Sequence, residues 1–299
     1  MAGKPLPVAP SPSTSCCAPA APAPADTARA HDLHRDQVRQ TYAQVAKSAD
    51  QGGGTGNAAG CCGVSDDDAV QRLISTRLGY SEVDLGLVPE GADLGLGCGN
   101  PKAIAALRPG EVVVDLGAGA GFDCFLAASE VGDQGRVIGV DMTPDMVSRA
   151  RGNAAKGGYR NVEFRLGEIE HLPVPDKLAD VILSNCVINL SPDKSQVFRE
   201  AFRVLKPGGR LAISDVVATA PLPPEMKQDL GLIAGCIGNA MELAELEQVI
   251  TAAGFVDVRI QPKDESREFI RDWAPGRGVE DFVQSATIEA RRPAARGCC

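Results

Sequence analysis

The sequence predicts an α/β fold built on a doubly wound, mostly parallel sheet that an antiparallel last strand closes. Three observations predict it. Residues 112–123 read V-V-V-D-L-G-A-G-A-G-F-D, a β-branched run suited to a strand buried on both faces, then glycines, then the start of an apolar helix. Strand and helix patterns alternate from there to residue 215, as βαβ units require. Asp141 closes the second strand 20 residues after Gly121, where nucleotide-binding sheets place a carboxylate for ribose.

Taken in order, residues 1 to about 30 are rich in Pro, Ala and Ser and too poor in apolar side chains to order, so they read as a disordered tail with Cys16 and Cys17. Leu33, Val38, Tyr42, Val45 and Ala46 fall near helical spacing, predicting an amphipathic helix from Asp32 to Ala49. The glycine-rich stretch Gly52 to Gly63 reads as a mobile loop holding Cys61 and Cys62. A short helix follows from Asp66 to Leu78, its aspartates at the positive end. Cys98 then sits between glycines in L-G-L-G-C-G-N-P, and Pro101 opens a helix through Leu107.

The first strand begins at Val112. Phe122 to Val131 is a crossover helix, Arg136 to Asp141 the second strand, and a helix starts near Pro144. Asn161 to Gly167 and Ala179 to Leu183 are the third and fourth strands. Lys194 to Leu205 is helical, Lys206-Pro207-Gly208-Gly209 is a turn, and Arg210 to Asp215 is the fifth strand. Residues 218–240 form an inserted lid that carries Cys236. Met241 to Ala253 is a helix, Phe255 to Ile260 the sixth strand and Phe282 to Ala290 the last. The organisation is therefore a tail (1–30), N-terminal helices with a nucleotide-binding domain (31–217), a lid with closing strands (218–291), and a second tail (292–299) holding Cys298 and Cys299.

A net charge of -9 and a pI near 5.0 disfavour a nucleic-acid partner, because phosphate binding needs a basic face. No apolar run approaches the roughly 20 residues of a membrane span, and prolines interrupt every candidate signal-peptide core, so the expected location is cytoplasmic. Ten cysteines in such a chain need an explanation by site, since none makes the C-x-x-C pairs of a zinc ribbon.

The glycines narrow the ligand. A dinucleotide fingerprint puts its third glycine where this chain has Phe122, with Gly121 one position early. An adenosine ligand without a pyrophosphate fits better, and S-adenosylmethionine is one. The block resembles the first motif of class I methyltransferases, as does the order of elements with K-P-G-G before strand five. That resemblance puts the cofactor against Asp115, Gly117, Gly119, Asp141, Met142, Gly167, Ile169, Glu170 and Asn185. Asp141 would accept from the ribose hydroxyls, or else cap the helix at Pro144. Residues 167–170 would meet the adenine, although Glu168 and Glu170 could also be solvated loop acids. Asn185 and Cys186 follow strand four, at the reactive end by topology.

Methyl transfer is an in-line displacement that needs a nucleophile with a free lone pair. Bases are scarce: the chain has three histidines, His31 and His34 preceding the core and His171 reading as a surface residue. A base-poor, thiol-rich pocket suits an acceptor that carries no proton and binds sulfur, and trivalent arsenic meets both conditions. The stretches C-C-G (61–63), G-C-G (97–99), D-C (123–124), S-N-C-V-I-N-L-S-P-D-K (184–194) and G-C-I-G-N-A (235–240) resemble the cysteine motifs of the arsenite S-adenosylmethionine methyltransferases. The likeness runs from about residue 32 to 291.

What it implies is methylation of arsenite and then methylarsenite, in arsenic detoxification, with Cys186 and Cys236 as core arsenic ligands and Cys98 as the third. Cys61 or Cys62 would take part in acquiring arsenic or in a disulfide relay, with thioredoxin or glutathione regenerating the thiols. Cys124 reads as packing. Arsenic is then substrate, and no metal cofactor is expected. The short C-terminal region leaves little room for a separate third domain. The competing readings are a class I methyltransferase acting on a quinone or other small organic molecule, and a metalloid-binding protein without catalysis.

Overall fold

In the computed structural model, residues 24–48 and 68–295 are described. Their eight strands form one sheet: β1 (Val112–Leu116), β2 (Arg136–Asp141), β3 (Val162–Leu166), β4 (Ala179–Asn185), β5 (Leu205–Ala218), β6 (Met241–Glu242), β7 (Val256–Pro262) and β8 (Val283–Arg291). The spatial order is β3-β2-β1-β4-β5-β8-β7, with β6 paired to the end of β5. Strands β1 to β5 run parallel, and β8 is antiparallel to both β5 and β7.

The helices are α1 (Pro24–Ser48), α2 (Asp68–Arg77), α3 (Glu82–Leu87), α4 (Lys102–Ala105), α5 (Phe122–Val131), α6 (Pro144–Gly157), α7 (Lys194–Val204), α8 (Pro224–Gln228), α9 (Leu230–Ala234), α10 (Leu243–Ala252) and α11 (Ser266–Trp273). Alternate strand residues face opposite layers. Val113, Val137 and Val181 pack with Phe125 of α5 and Val147 of α6, while Val114, Ile138 and Ile182 pack with Phe198 of α7 and Ile250 of α10. Burial on both faces is why these strands are continuous apolar runs. It also aims the carboxyl ends of β1, β2 and β4 at one edge, where a doubly wound sheet leaves a crevice.

The observed elements depart from the sequence expectation in places. Helix α1 starts at Pro24, ahead of Asp32, so residues 24–30 are helical and not part of a disordered tail. Proline is tolerated in a first helical turn, and the alanines that follow favour helix. The K-P-G-G turn lies inside β5: Leu205 pairs with Ala179 and Arg210 with Val181, so residues 206–209 bulge from the ladder, with Gly208 at φ 85°. Met241 and Glu242 open as strand β6, not helix, because Val217 and Ala218 of β5 offer a free pairing edge there. Helices α3 and α11 were not expected. The first is fixed by a local capping box between Ser81 and Asp84. Among the described residues, no helix is long and apolar enough to cross a membrane.

Candidate active site

A cleft with about 1080 Å³ of empty space, part of it open to solvent, lies at the carboxyl ends of β1, β2 and β4. The sequence ending β1 shapes it. Gly117 turns the chain at φ 67°, and a Cβ there would stand 2.5 Å from Val187, so the loop approaches the β4 end as only glycine allows. Gly119 donates its N–H to Asp141 Oδ2 at 2.9 Å, and Thr143 N–H donates to Oδ1 at 2.8 Å, which fixes the carboxylate at the rim of β2. Thr143 makes no side-chain cap for α6, and Asp141 stays in the cleft wall.

Of the residues expected to hold a cofactor, Asp115, Gly117, Gly119, Asp141 and Met142 line the cleft, as do Ile169, Glu170 and Asn185. Gly167 does not line it. Its N–H donates to Asp141 O at 3.0 Å and a Cβ would meet Pro173 at 2.7 Å, so it sets the loop after β3 from behind. Glu170 is buried and accepts from Ser191 Oγ at 2.6 Å. Glu168 pairs with Arg35 and Arg39 of α1, and Arg35 also reaches Glu170 at 3.6 Å, closing that helix over the cleft. His171 is exposed, and His34 lies with Nε2 2.9 Å from Leu190 O.

A buried polar cluster forms the far end. Tyr80 donates to Asp123 Oδ1 at 2.6 Å, and Asn185 Nδ2 donates to Asp123 Oδ2 at 3.2 Å and to the Gly99 carbonyl at 2.8 Å. Burial pushes the Asp123 carboxyl up to about 6 and the Asp115 carboxyl well above its usual range. Cys124 is wholly buried in the core and donates to Asp115 at 3.2 Å, so it packs, as expected.

Three thiols share one cluster beyond Asn185; the Cys98 and Cys186 sulfurs lie within 4.8 Å of each other, while the Cys236 sulfur stands farther from at least one of them. Cys98, Cys186 and Cys236 come from the loop before α4, the end of β4 and the turn after α9, and all three are buried in one apolar cluster. Cys186 is central: the Cys236 and Cys98 thiols flank its sulfur and, with burial, hold its proton well above the usual thiol range. Cys236 Sγ also reaches the Cys186 carbonyl at 2.7 Å. Both residues are left-handed, Cys186 at φ 58° and Cys236 at φ 65°, a conformation that costs non-glycine residues about 1 kcal/mol or more. Reciprocal asparagines tie the two segments: Asn189 Nδ2 donates to Cys236 O at 3.2 Å, and Asn239 Nδ2 donates to Asn189 O at 3.0 Å. Cys61 and Cys62 lie outside the described residues, as do Cys16, Cys17, Cys298 and Cys299.

Known proteins resemble this chain over most of its length. A protein from Halobacterium salinarum named arsenite methyltransferase is 54% identical over 265 residues, covering 87% of this chain and 67% of its own length. The chain belongs to the arsenite methyltransferase family. Residues 107–254 match the methyltransferase domain family. An arsenite methyltransferase from Aquipseudomonas alcaligenes is 46% identical over 171 residues, or 55% of this chain, which spans only 49% of that relative's length. The crystal structure of an arsenic(III) S-adenosylmethionine methyltransferase from Chlamydomonas reinhardtii superimposes with a TM-score of 0.55 at 32% identity, covering 76% of this chain and 75% of that one.

Asp215, which strand periodicity alone does not single out, also stands at the thiol cluster of this family member. It is 2% exposed, and one carboxylate oxygen lies within 4.8 Å of the Cys98 and Cys186 sulfurs. It accepts from Val216 N at 2.7 Å, Ile188 N at 2.8 Å and Asn189 Nδ2 at 3.0 Å, while burial lifts its carboxyl to about 6. Lys194 is buried close enough to act on both Asp215 and Cys236, and burial lowers its ammonium to about 8. The signal for Asp215 was an acidic residue inside the apolar run I-S-D-V-V.

Proposed function

We propose that this chain methylates trivalent arsenic, arsenite first and methylarsenite after it, with S-adenosylmethionine as methyl donor. One observation carries the reading: Cys98, Cys186 and Cys236, from three separate segments, are buried in one apolar cluster, and Cys186 among them lines the cofactor cleft beside Asn185. Three protonated thiols condense with arsenous acid, releasing three waters. The product is a neutral tris-thiolate with a lone pair on arsenic.

Asp141 would hold the ribose hydroxyls of the cofactor, Ile169 and Glu170 would meet its adenine, and Asp115 and Gly117 would flank its methionine portion. Asn185, which lines the cleft next to Cys186, would face the reactive end of the cofactor. Attack by the arsenic lone pair needs no general base, which suits a cleft with no histidine among its lining residues, the His34 imidazole being engaged with a backbone carbonyl. Methylated pentavalent arsenic regains its two electrons when two cysteine thiolates close a disulfide, and thioredoxin or glutathione reopens it. Cys61 or Cys62 serves that relay. Reusable thiols require a reducing compartment, which fits a cytoplasmic enzyme.

The test is incubation with arsenite, S-adenosylmethionine and a thiol reductant, followed by mass spectrometry of the arsenic products. Methylated arsenic is expected from the wild type and not from Cys186→Ser. Full activity in that variant would refute the assignment.

A further inference from the structure

We propose that Asp215 is the counter-charge for the cation formed on arsenic during methyl transfer. The inference rests on arsenic methylation at Cys98, Cys186 and Cys236. In that step the arsenic lone pair forms the As–C bond, and the methyl–sulfur bond breaks with its electron pair remaining on sulfur. The donor changes from a sulfonium cation to a neutral thioether. Arsenic passes formally from the trivalent to the pentavalent state, and the neutral tris-thiolate becomes a methylarsonium cation. No proton moves and no co-reactant is consumed.

The positive charge therefore leaves the cofactor cleft and arrives among apolar side chains. Leu190, Val216, Leu232 and Ile237 share the cluster of the thiols, and the buried Lys194 ammonium nearby only adds to the cost of a second cation. A cation there without a partner is strongly disfavoured. Asp215 is a partner already in place, with one oxygen within 4.8 Å of both Cys98 and Cys186 sulfurs. Every hydrogen bond it makes is one it accepts, from Ile188 N, Val216 N and Asn189 Nδ2, and donors alone favour the ionised form. The carboxylate need not move as the reaction proceeds, and a preorganised charge aimed at where charge develops acts on the transition state more than on the ground state. Soft trivalent arsenic takes the thiolates and leaves the hard carboxylate as a neighbour.

The competing role is structural, since the same hydrogen bonds hold the Ile188–Leu190 turn that follows Cys186. The two roles differ in what they leave intact. Wild type, Asp215→Asn and Asp215→Glu are loaded with arsenite, bound arsenic is counted by elemental mass spectrometry, and a single turnover is started with excess S-adenosylmethionine. One arsenic per chain is expected in all three, because the resting complex is neutral. The single-turnover rate should fall about 100-fold in Asp215→Asn and much less in Asp215→Glu, which keeps the charge. Asp215→Ser replaces Asp215→Asn in the comparison should the latter not fold by circular dichroism.

An unchanged rate in the neutral variants overturns the proposal. So does a parallel loss of arsenic binding and rate, which is the mark of a structural residue or of a direct ligand, and so does an Asp215→Glu rate as low as that of Asp215→Asn. A wild type that binds no arsenite and forms no methylated product refutes the functional reading first, and this inference with it.

Discussion

Asn185 accepts the backbone N–H of Cys98 on its Oδ1 at 3.1 Å, so a residue of the cofactor cleft holds one of the three clustered thiols in place. Its Nδ2 meanwhile donates to Gly99 O at 2.8 Å and approaches Tyr80 and Asp123 at 3.0 and 3.2 Å. One amide thus orients the loop before α4 against the end of β4. Asn185→Ala should cost about 1–3 kcal/mol of stability through the unpaired groups left behind. It should also lower methylation about tenfold or more by releasing Cys98. Asn185→Asp should be worse than Ala at neutral pH, since a carboxylate would face Asp123 and the Gly99 carbonyl. Denaturant melts and steady-state rates check the order, and a fully active Asn185→Asp would contradict this role.

Gly117→Ala tests the contact between the glycine loop and Val187. The new methyl meets Val187 at 2.5 Å on a backbone at φ 67°, so strain and overlap add. A loss of about 2–4 kcal/mol is expected, with cofactor affinity falling alongside. Gly119→Ala, at φ 52° and with nothing within 4 Å of its Cβ, should cost only the backbone part, about 1 kcal/mol. Truncation of Val187 to Ala should restore part of the Gly117→Ala loss and none of the Gly119→Ala loss. Thermal melts of the two double variants separate overlap from strain.

These residues also mark what could be read without coordinates. The glycine loop, Asp141 and Asn185 follow from local pattern plus the rule that sites sit beyond the carboxyl ends of parallel strands, and both are properties of short stretches. Gly167 belonged to the same pattern, yet Pro173 packs behind it and keeps it off the cleft. The meeting of Cys98 with Cys186 and Cys236 depends on how three distant segments fold back, and periodicity carries no information on that. Resemblance alone suggested it. Tyr80 and Asp215 went unread for a related reason: a tyrosine in a loop and an acid within a strand become informative only when their neighbours are known. The bulge at residues 206–209 was legible as K-P-G-G, but whether the strand stops there or resumes is decided by Ala179 and Val181 on the partner strand.

The buried Asp215 carboxyl gives a pH signature of stability. Its folded value is about 6 against an ordinary 3.8, so between those values the folded chain binds a proton that the unfolded chain has released. Stability from this group is fully present below about 4 and is lost as pH rises through about 6. The change amounts to something on the order of 3 kcal/mol. Asp215→Asn lacks this titration. Its free energy of unfolding relative to wild type should therefore shift in its favour by that order between pH 4 and 7, on top of a constant penalty for leaving Ile188 N–H without an acceptor. Urea titrations of both proteins at several pH values measure the difference. A pH-independent offset would mean that the carboxyl is not buried as described.

Trp273 is the chain's single tryptophan, and it packs against the apolar cluster that contains Cys98, Cys186 and Cys236. Phe269, one turn earlier on α11, packs against it at a tilt of 49° with ring centroids 5.4 Å apart. A heavy atom bound by the three thiols would enter the same cluster, and drawing the strained Cys186 and Cys236 backbones together would alter the indole's surroundings. Arsenite should therefore change tryptophan emission in the wild type, saturating at one equivalent per chain. Cys186→Ser should abolish the response, because that sulfur interacts with both of the other thiols. Cys124→Ser should leave it intact, since Cys124 belongs to a different core cluster, beside Asp115. Trp273→Phe should be silent yet still bind one arsenic, which separates the reporter from the site. A response that persists without Cys186, or that disappears without Cys124, would place arsenic somewhere other than at the meeting point of these three segments.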